Sequence, residues 1–345
     1  MGRMVWPWTR LREAGIIGMN ERNGLYIAGF NPRRLYPLVD DKLRTKQLAV
    51  DAGIAVPALY HEVSIEHEII ALEQTLQAHQ SFVVKPSKGA GGDGIVVITG
   101  RQGKDFLRAS GARMSFDDLA HHISNILSGM FSLGGLPDRA MIEYCVQFDP
   151  VFAPISYQGV PDIRTLVFRG VPVAAMLRLP TRASDGKANL HQGAVGVGID
   201  LASGRTLHGV MHNAPVTHHP DTLHSVGDFS VPGWEQVLLL AAQCYDLARL
   251  GYLGVDIVLD RDKGPLVLEL NARPGLAIQL ANGRGLRPAL QAISALDSIP
   301  SSAEERVALA LSLFAPGADE GCPATSQDTD LPAAPVPDSG KDEAP

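Results

Sequence analysis

Asp256, Glu269 and Asn271 fall within a stretch, residues 254–271, that reads as two apolar strands around a polar turn. If residues 261–264 form a four-residue loop, Asp260 pairs with Pro265, and counting outward sets Asp256 opposite Glu269. Their Cβ atoms would then be roughly 5 Å apart, and Asn271, two residues beyond Glu269, would share their face. Like charges facing each other in an apolar hairpin are unfavourable unless a cation lies between them. Three oxygen donors on one rigid face suit Mg²⁺, with Mn²⁺ as an alternative, and such a metal takes its remaining ligands from water and phosphate. A register slipped by one residue would turn the carboxylates to solvent. In the expected register Val255, Ile257, Leu268 and Leu270 take the buried face.

A second group of residues points to phosphate. Phe82-Val-Val-Lys85 reads as a strand, followed by a loop containing Gly89, Gly91, Gly92 and Gly94, and then by the strand-like Ile95-Val-Val-Ile98. The spacing satisfies G-x-G-x-x-G, but a dinucleotide fold requires a helix after the loop. A protein kinase carries its lysine after the loop, with H-R-D and D-F-G motifs downstream, and neither motif occurs. What remains is a lysine ahead of a glycine flap whose backbone N–H groups can approach phosphate oxygens. A plain hairpin loop with a solvated lysine is the alternative reading of these residues alone.

The elements that must position these groups are short and mixed. Residues 40–53 read as a helix, capped by an Asp at its start and closed by Gly53, with Pro57 barring its continuation. Residues 141–144 form a short strand. Residues 163–169 with 173–178, 194–201 with 206–210, and 252–259 with 266–270 form three hairpins. Residues 234–250 form the best helix, with apolar positions at 234, 237, 238, 241, 245 and 248. Ser302 and Glu305 form a capping box that opens a final helix through Phe314. So many hairpins indicate an α+β fold with antiparallel sheets rather than a doubly wound parallel one.

The order of these motifs resembles the ATP-grasp superfamily. The match runs through Asp41-Lys42, Val84-Lys85-Pro86, the flap, Ile142-Glu143, Asp162-Ile-Arg164, Asn189-Leu-His191, Gly254-Val-Asp256 and Leu268-Glu269-Leu-Asn271-Ala-Arg273, over about residues 40–300. The chain most resembles the ribosomal-protein glutamate ligases and related α-L-glutamate ligase-like proteins. The resemblance implies two α+β lobes clamping ATP: 41–145 with the flap and 146–315 with the metal hairpin, after a short segment 1–40. It implies Lys42 and Lys85 on the ATP phosphates, Glu143 and Val146 at the adenine, Asp149 at the ribose, and Asn189 and His191 near nucleotide and substrate. Arg178 would neutralise the transferring phosphoryl group, and Arg273 would face the acyl phosphate; Asp256, Glu269 and Asn271 would hold the metal. The implied activity joins a carboxylate to an amine through an acyl phosphate, with glutamate or another amino acid added to a small molecule, peptide or protein. A kinase stopping at phosphorylation and a regulatory module without turnover are the alternatives. Such ligases commonly form homo-oligomers. They usually carry a further domain of roughly a hundred residues ahead of this core. About 40 residues precede Asp41, too few for that domain.

Composition narrows the rest. A net charge of −7 argues against a broad nucleic-acid face. Cys145, Cys244 and Cys322 are widely separated, which excludes a disulfide framework and fits a reducing cytoplasm. No run of apolar residues suffices for membrane insertion, and Trp6 and Trp8 are expected to pack on the domain. Residues 316–345, rich in Pro, Asp and Ala, are expected to be disordered. His208, His212, His218, His219 and His224 lack metal-ligand spacing and read as solvated loop histidines, as do His121 and His122. Arg284 and Arg287 read equally as a clamp for an acidic substrate or as surface ion pairs.

Overall fold

The computed structural model describes residues 7–89, 91–132 and 134–314. The expectations for the tail, for Cys322 and for the packing of Trp6 and Trp8 lie outside what is described. Two antiparallel sheets account for all the strands among the described residues.

The first sheet has six strands: β1 Leu59–Val63, β2 Phe82–Pro86, β3 Val96–Gln102, β4 Asp105–Arg108, β5 Arg113–Met114 and β6 Ala140–Glu143, in the order β1-β6-β2-β3-β4-β5. The second has seven: β7 Asp162–Phe168, β8 Val171–Leu179, β9 Val195–Ile199, β10 Thr206–Met211, β11 Ala214–Val216, β12 Tyr252–Asp260 and β13 Gly264–Asn271. Their order is β11-β10-β9-β8-β7-β12-β13. Each sheet backs its own core, the smaller around Leu72, Phe82, Ile98, Leu119 and Ile123, the larger around Phe168, Leu177, Val237, Val255 and Ile257. The α+β class and antiparallel sheets expected from the hairpins are what the chain forms.

Short helices open the chain: α1 Pro7–Glu13, α2 Met19–Glu21, α3 Ala28–Phe30 and α4 Pro37–Asp40. They do not stand apart. Tyr26 stacks on Tyr252 and meets Phe168 edge-on, while Asn31 donates to the carbonyls of Tyr252 and Ala272. The segment before residue 41 is therefore part of the larger core. Arg287, one of the two suggested substrate clamps, is spent here: it pairs with Glu21 at 2.7 Å and donates to the Arg12 and Ile16 carbonyls.

α5 Lys42–Asp51 follows, with Asp41 accepting from the N–H groups of Leu43 and Arg44 and Gly53 at φ +70°, so the cap and stop read from sequence both form. α6 His67–Leu76 and α7 Phe116–Leu127 cover the first sheet, α7 opened by a reciprocal Ser115–Asp118 capping box. α8 Trp234–Ala248, α9 Ala277–Ala281, α10 Arg287–Ser294 and α11 Ala303–Leu313 cover the second, with the Ser302–Glu305 box in place. β1 and α6 escape the sequence reading because Leu-Tyr-His-Glu-Val has no clean alternation and its partner, β6, lies far along the chain. No helix among the described residues is long and apolar enough to cross a membrane.

Candidate active site

Asp41 ties the start of α5 to the end of β2. Its carboxylate accepts from Ser87 Oγ at 2.5 Å and from Arg139 at 2.8 Å, while the Lys42 N–H donates to the Ser87 carbonyl. Burial would raise the Asp41 carboxyl, but Ser87, the Arg44 N–H and Arg139 outweigh it and hold the group below the usual range. Lys42 and Lys85 consequently line one cleft, with Lys46, Glu269 and apolar Met141 and Leu268. Lys42 Nζ donates to the Gly89 carbonyl at 2.5 Å and stands 3.4 Å from Glu269 Oε1, so flap, helix and hairpin meet at one ammonium group. Burial raises the Asp40 carboxyl above its ordinary range although Arg273 and Lys42 pull the other way, and the Arg273 guanidinium lies 4.9 Å above the Tyr36 ring.

Glu143, expected at the adenine, is buried between two lysines, with Oε1 2.5 Å from Lys85 Nζ and Oε2 2.9 Å from Lys46 Nζ. Burial would raise its pKa; Lys85 and Lys46 outweigh that and hold it below the ordinary value. Beyond it the Tyr144 N–H is committed to the Ala58 carbonyl, and Val146 is half-buried. Asp149, suggested for the ribose, instead caps a 3₁₀ turn by accepting from the Val151 N–H at 2.9 Å. Asp260 holds the connection from β6 to the second sheet, accepting from the N–H groups of Gln147, Asp262 and Lys263.

The flap has positive φ at Gly91, Gly92 and Gly94. At Gly94 a Cβ would also fall 2.6 Å from Phe131. His122, expected in solvent, bonds the Gly94 carbonyl at 2.8 Å, because its helix packs beneath the flap. Asp93 reaches Lys187 at 3.8 Å, linking the flap to the loop after β8. Asn189 caps a turn by accepting from the His191 N–H, and His191 is exposed on that same loop.

In the hairpin Asp256 pairs with Glu269 as counted from sequence, but by another route. The turn is one residue tighter, with Asp260 opposite Gly264, and a bulge between Ile257 and Asp256 restores the register. Val267 is therefore buried with Leu270, while Leu268 is only half-buried and lines the cleft. Asn271 Nδ2 lies 3.3 Å from Asp256 Oδ2.

What the sequence reading missed is the company Asp256 keeps. Arg164, its register partner on β7, bonds Oδ1 at 2.6 Å and Oδ2 at 2.5 Å, and Arg178 adds a bond to Oδ2 at 2.8 Å. Arg178 also grips Asp162, its own partner across β7 and β8. Burial raises both carboxyls. For Asp256 the two guanidinium groups win and hold it below the usual range, whereas Asp162, beside the Asp256 charge, stays above it. Two arginines and two aspartates thus form a largely buried, charge-balanced chain, Arg164–Asp256–Arg178–Asp162. The motif Asp162-Ile-Arg164 carried that signal, and Lys46, one helical turn after Lys42, carried another.

Among the described residues no group of three His, Cys, Asp or Glu side chains is placed to hold a metal. Asp256, Glu269 and Asn271 still offer an all-oxygen donor set on one hairpin, which fits Mg²⁺ in kind. Glu269 is the accessible member, its side chain 37% exposed. The five loop histidines hold one surprise: His219 is fully buried, bonded to the Pro180 carbonyl and facing the Asp221 and Thr222 N–H groups, while the other four are exposed. Cys145 is buried and its thiol pushed up to about 11 by that burial, as suits packing.

The family model for sugar-transfer associated ATP-grasp proteins matches residues 21–295. The chain belongs to that family. This ATP-grasp chain agrees with the motif order at the level of the superfamily; the family is the sugar-transfer associated one, and nothing in the comparisons supports glutamate as substrate. No curated protein matches it. Solved structures similar to it include the ATP-grasp ligase PsnB complexed with minimal precursor, at 15% identity and TM-score 0.43, covering 78% of this chain and 65% of that one. D-alanine–D-alanine ligase from Bacillus anthracis shows 14% identity and TM-score 0.40, covering 81% and 65%. D-cycloserine synthetase DcsG shows 17% and 0.42, covering 82% and 73%. The chain thus spans just under two thirds of the first two.

Proposed function

We propose that this ATP-grasp chain is an ATP- and Mg²⁺-dependent carboxylate–amine ligase that forms an amide or peptide bond through an acyl phosphate. The observation that carries the reading is the meeting of Lys42, Lys85 and Glu269 in one cleft, with Asp256 and Asn271 beside Glu269 on the same hairpin. The names of the similar structures, a ligase acting on a precursor, a D-alanine ligase and a D-cycloserine synthetase, are compatible with it but do not give the substrate.

An amine cannot displace oxide from a carboxylate. Phosphoryl transfer to the carboxylate converts that oxygen into a phosphate leaving group, and the rate then depends on aligning two anions and balancing their charge. Lys85, at the end of a strand, and Lys42, at the start of a helix, are rigidly mounted cations for the triphosphate. Glu269, Asp256 and Asn271 would hold the magnesium, which when bound supplies charge neutralisation on the phosphates. Arg164 and Arg178 spend their Nε–Nη2 forks on Asp256 and Asp162, so their part is to orient Asp256, and Arg178 would reach a transferring phosphoryl group only through its remaining N–H groups. The flap, touching Lys42 through Gly89 and the loop after β8 through Asp93, is placed to exclude water from the acyl phosphate. We further propose that residues 41–145 and 146–315 act as the two lobes, with a homo-oligomer as the working state.

The test is ADP release with Mg-ATP against a matrix of carboxylic acids and amines, with product masses read directly. Amide products that require both partners support the reading. Phosphorylated alcohols as the only products, or ATP binding that no acceptor turns into ADP release, would rule it out.

A further inference from the structure

The chain leaves the β12–β13 hairpin at Asn271 and lies back over the sheet face that carries Arg164 and Asp256. Two close approaches fix its course. Tyr252, Gly254 and Asp256 alternate onto that face, and a Cβ on Gly254 would fall 2.8 Å from Pro274 and 3.4 Å from the Asn271 side chain. Gly198 is in register with Met176 and through it with Arg164, and a Cβ there would meet the Ala281 carbonyl at 2.3 Å.

Residues 16–31 are fastened along this run. Ile17 and Gln279 exchange hydrogen bonds at 2.9 and 3.1 Å, Arg287 donates to the Ile16 carbonyl, and Asn31 donates to the Ala272 carbonyl. Between these ties Arg22 Nη1 donates to the Pro274 carbonyl at 2.9 Å. The three residues of chain from Asn271 to that proline span at most about 11 Å. The opening segment thus brings a guanidinium group to the margin of the site from outside the motifs on which the ATP-grasp resemblance rests.

The protein around Arg22 does not balance its charge. Its Nε and Nη2 share one neutral acceptor, Asn23 Oδ1, at 3.0 and 2.9 Å. The adjacent carboxylate, Glu21, is taken by Nε and Nη2 of Arg287. Among the described residues no carboxylate pairs with Arg22, whereas Lys42, Lys46, Lys85, Arg164 and Arg178 each have one. Burial raises the Tyr252 hydroxyl and Arg22 opposes it, so the guanidinium charge is felt on the face that carries Asp256. Arg22 is half-buried, and after these bonds an N–H remains on each of Nη1 and Nη2. A partly desolvated cation held only by neutral acceptors gains from an anion that completes its set.

We propose that Arg22 binds a second anionic group on the carboxylate substrate, so that the site selects acids carrying a further carboxylate or phosphate over simple monocarboxylic acids. The inference rests on the ligase reading above. The carboxylate to be phosphorylated lies toward Lys42, Lys85 and the hairpin, and the second anion lies toward Pro274. Hydrogen bonds between two charged groups are worth on the order of tenfold or more in affinity.

Hydroxylamine tests this whatever the natural amine is. Its nitrogen attacks the acyl carbon of an acyl phosphate, the bond to the phosphate oxygen breaks, phosphate leaves, and a hydroxamate remains after a proton is lost to water. The full chain with Mg-ATP is given acids matched in chain length: butyrate, succinate and 3-phosphonopropionate, then valerate, glutarate and 4-phosphonobutyrate. Hydroxamate and ADP are read together. In the wild type kcat/KM for the best dianionic acid should exceed that for its monocarboxylic match by about tenfold or more, mainly through KM. A dicarboxylate in the lead or a phosphonate in the lead supports the inference equally and names the second anion. Arg22→Gln should bring the ratio close to one, and Arg22→Lys, which keeps the charge, should restore part of it. If Arg22 only tied the opening segment to Pro274, Arg22→Gln would slow all the acids together and leave the ratio as it was. Thermal unfolding of each variant accompanies the kinetics; should Arg22→Gln fail to fold, the wild-type ratio and Arg22→Lys decide. A folded Arg22→Gln protein with the wild-type ratio overturns the inference, and so does a wild type that uses butyrate and valerate as well as their dianionic matches. A wild type that forms no hydroxamate and releases no ADP with any acid overturns the ligase reading itself, and this inference with it.

Discussion

Arg164 stands directly across from Asp256 between β7 and β12, and its guanidinium takes both carboxylate oxygens, at 2.6 and 2.5 Å. Asp256 is therefore held before any cation or phosphate arrives, and the arginine that holds it is 92 residues away in the chain.

Removing one member of that buried chain of charges should be severe. Arg164→Ala leaves Asp256 with Arg178 and Asn271 alone, and a buried pair broken from one side loses about 3 kcal/mol. Urea unfolding with the midpoint read at fixed slope checks it. A loss below about 1 kcal/mol would mean that water already reaches the pair.

Glu269→Ala should separate function from fold. Its side chain is 37% exposed and meets Lys42 only at 3.4 Å, so stability should move by no more than about 0.5 kcal/mol. ATP-dependent turnover should be abolished, because the hairpin loses its accessible carboxylate. Near-normal ADP release by this variant would end its assignment as a metal ligand.

Two flap glycines should respond differently to alanine. At Gly91, with φ +67° and open space for a Cβ, the cost is backbone strain of roughly 1 kcal/mol. At Gly94, with φ +75°, the same strain applies and Phe131 must also move from 2.6 Å. Gly94→Ala should therefore lower the unfolding temperature more than Gly91→Ala. The reverse order would show that the flap packs otherwise.

Acid should destabilise the protein through its buried carboxylates. Glu143 and Asp256 both have folded pKa values below their ordinary 4.5 and 3.8, so the unfolded chain binds protons first as pH falls. Their contribution is fully present above those ordinary values and is lost as pH drops through the lowered ones. Asp162 acts in the opposite sense: its raised pKa favours the folded chain in the protonated form, and that contribution fades as pH rises through it. Unfolding free energy measured from pH 6 down to 3 should fall mainly below 4.5. For Asp256→Asn, compared with the wild type, that fall should be shallower.

Local chemistry along the chain determined a good deal. Asp41 and Gly53 bound α5, Ser302 and Glu305 start α11, and alternation around 254–271 makes the hairpin, because caps, turns and side-chain period act over a few residues. The Asp256–Glu269 pairing was legible too, although a tighter turn and a bulge, each a one-residue change, had to cancel for it to hold. The tertiary structure alone decided that Arg164 meets Asp256, that Arg178 bridges Asp162 and Asp256, that Lys46 shares Glu143 with Lys85, and that His219 is buried. Those contacts depend on which strands lie side by side and which helix covers them. That is set by burial of whole faces, a sum over distant residues that no short stretch of sequence contains.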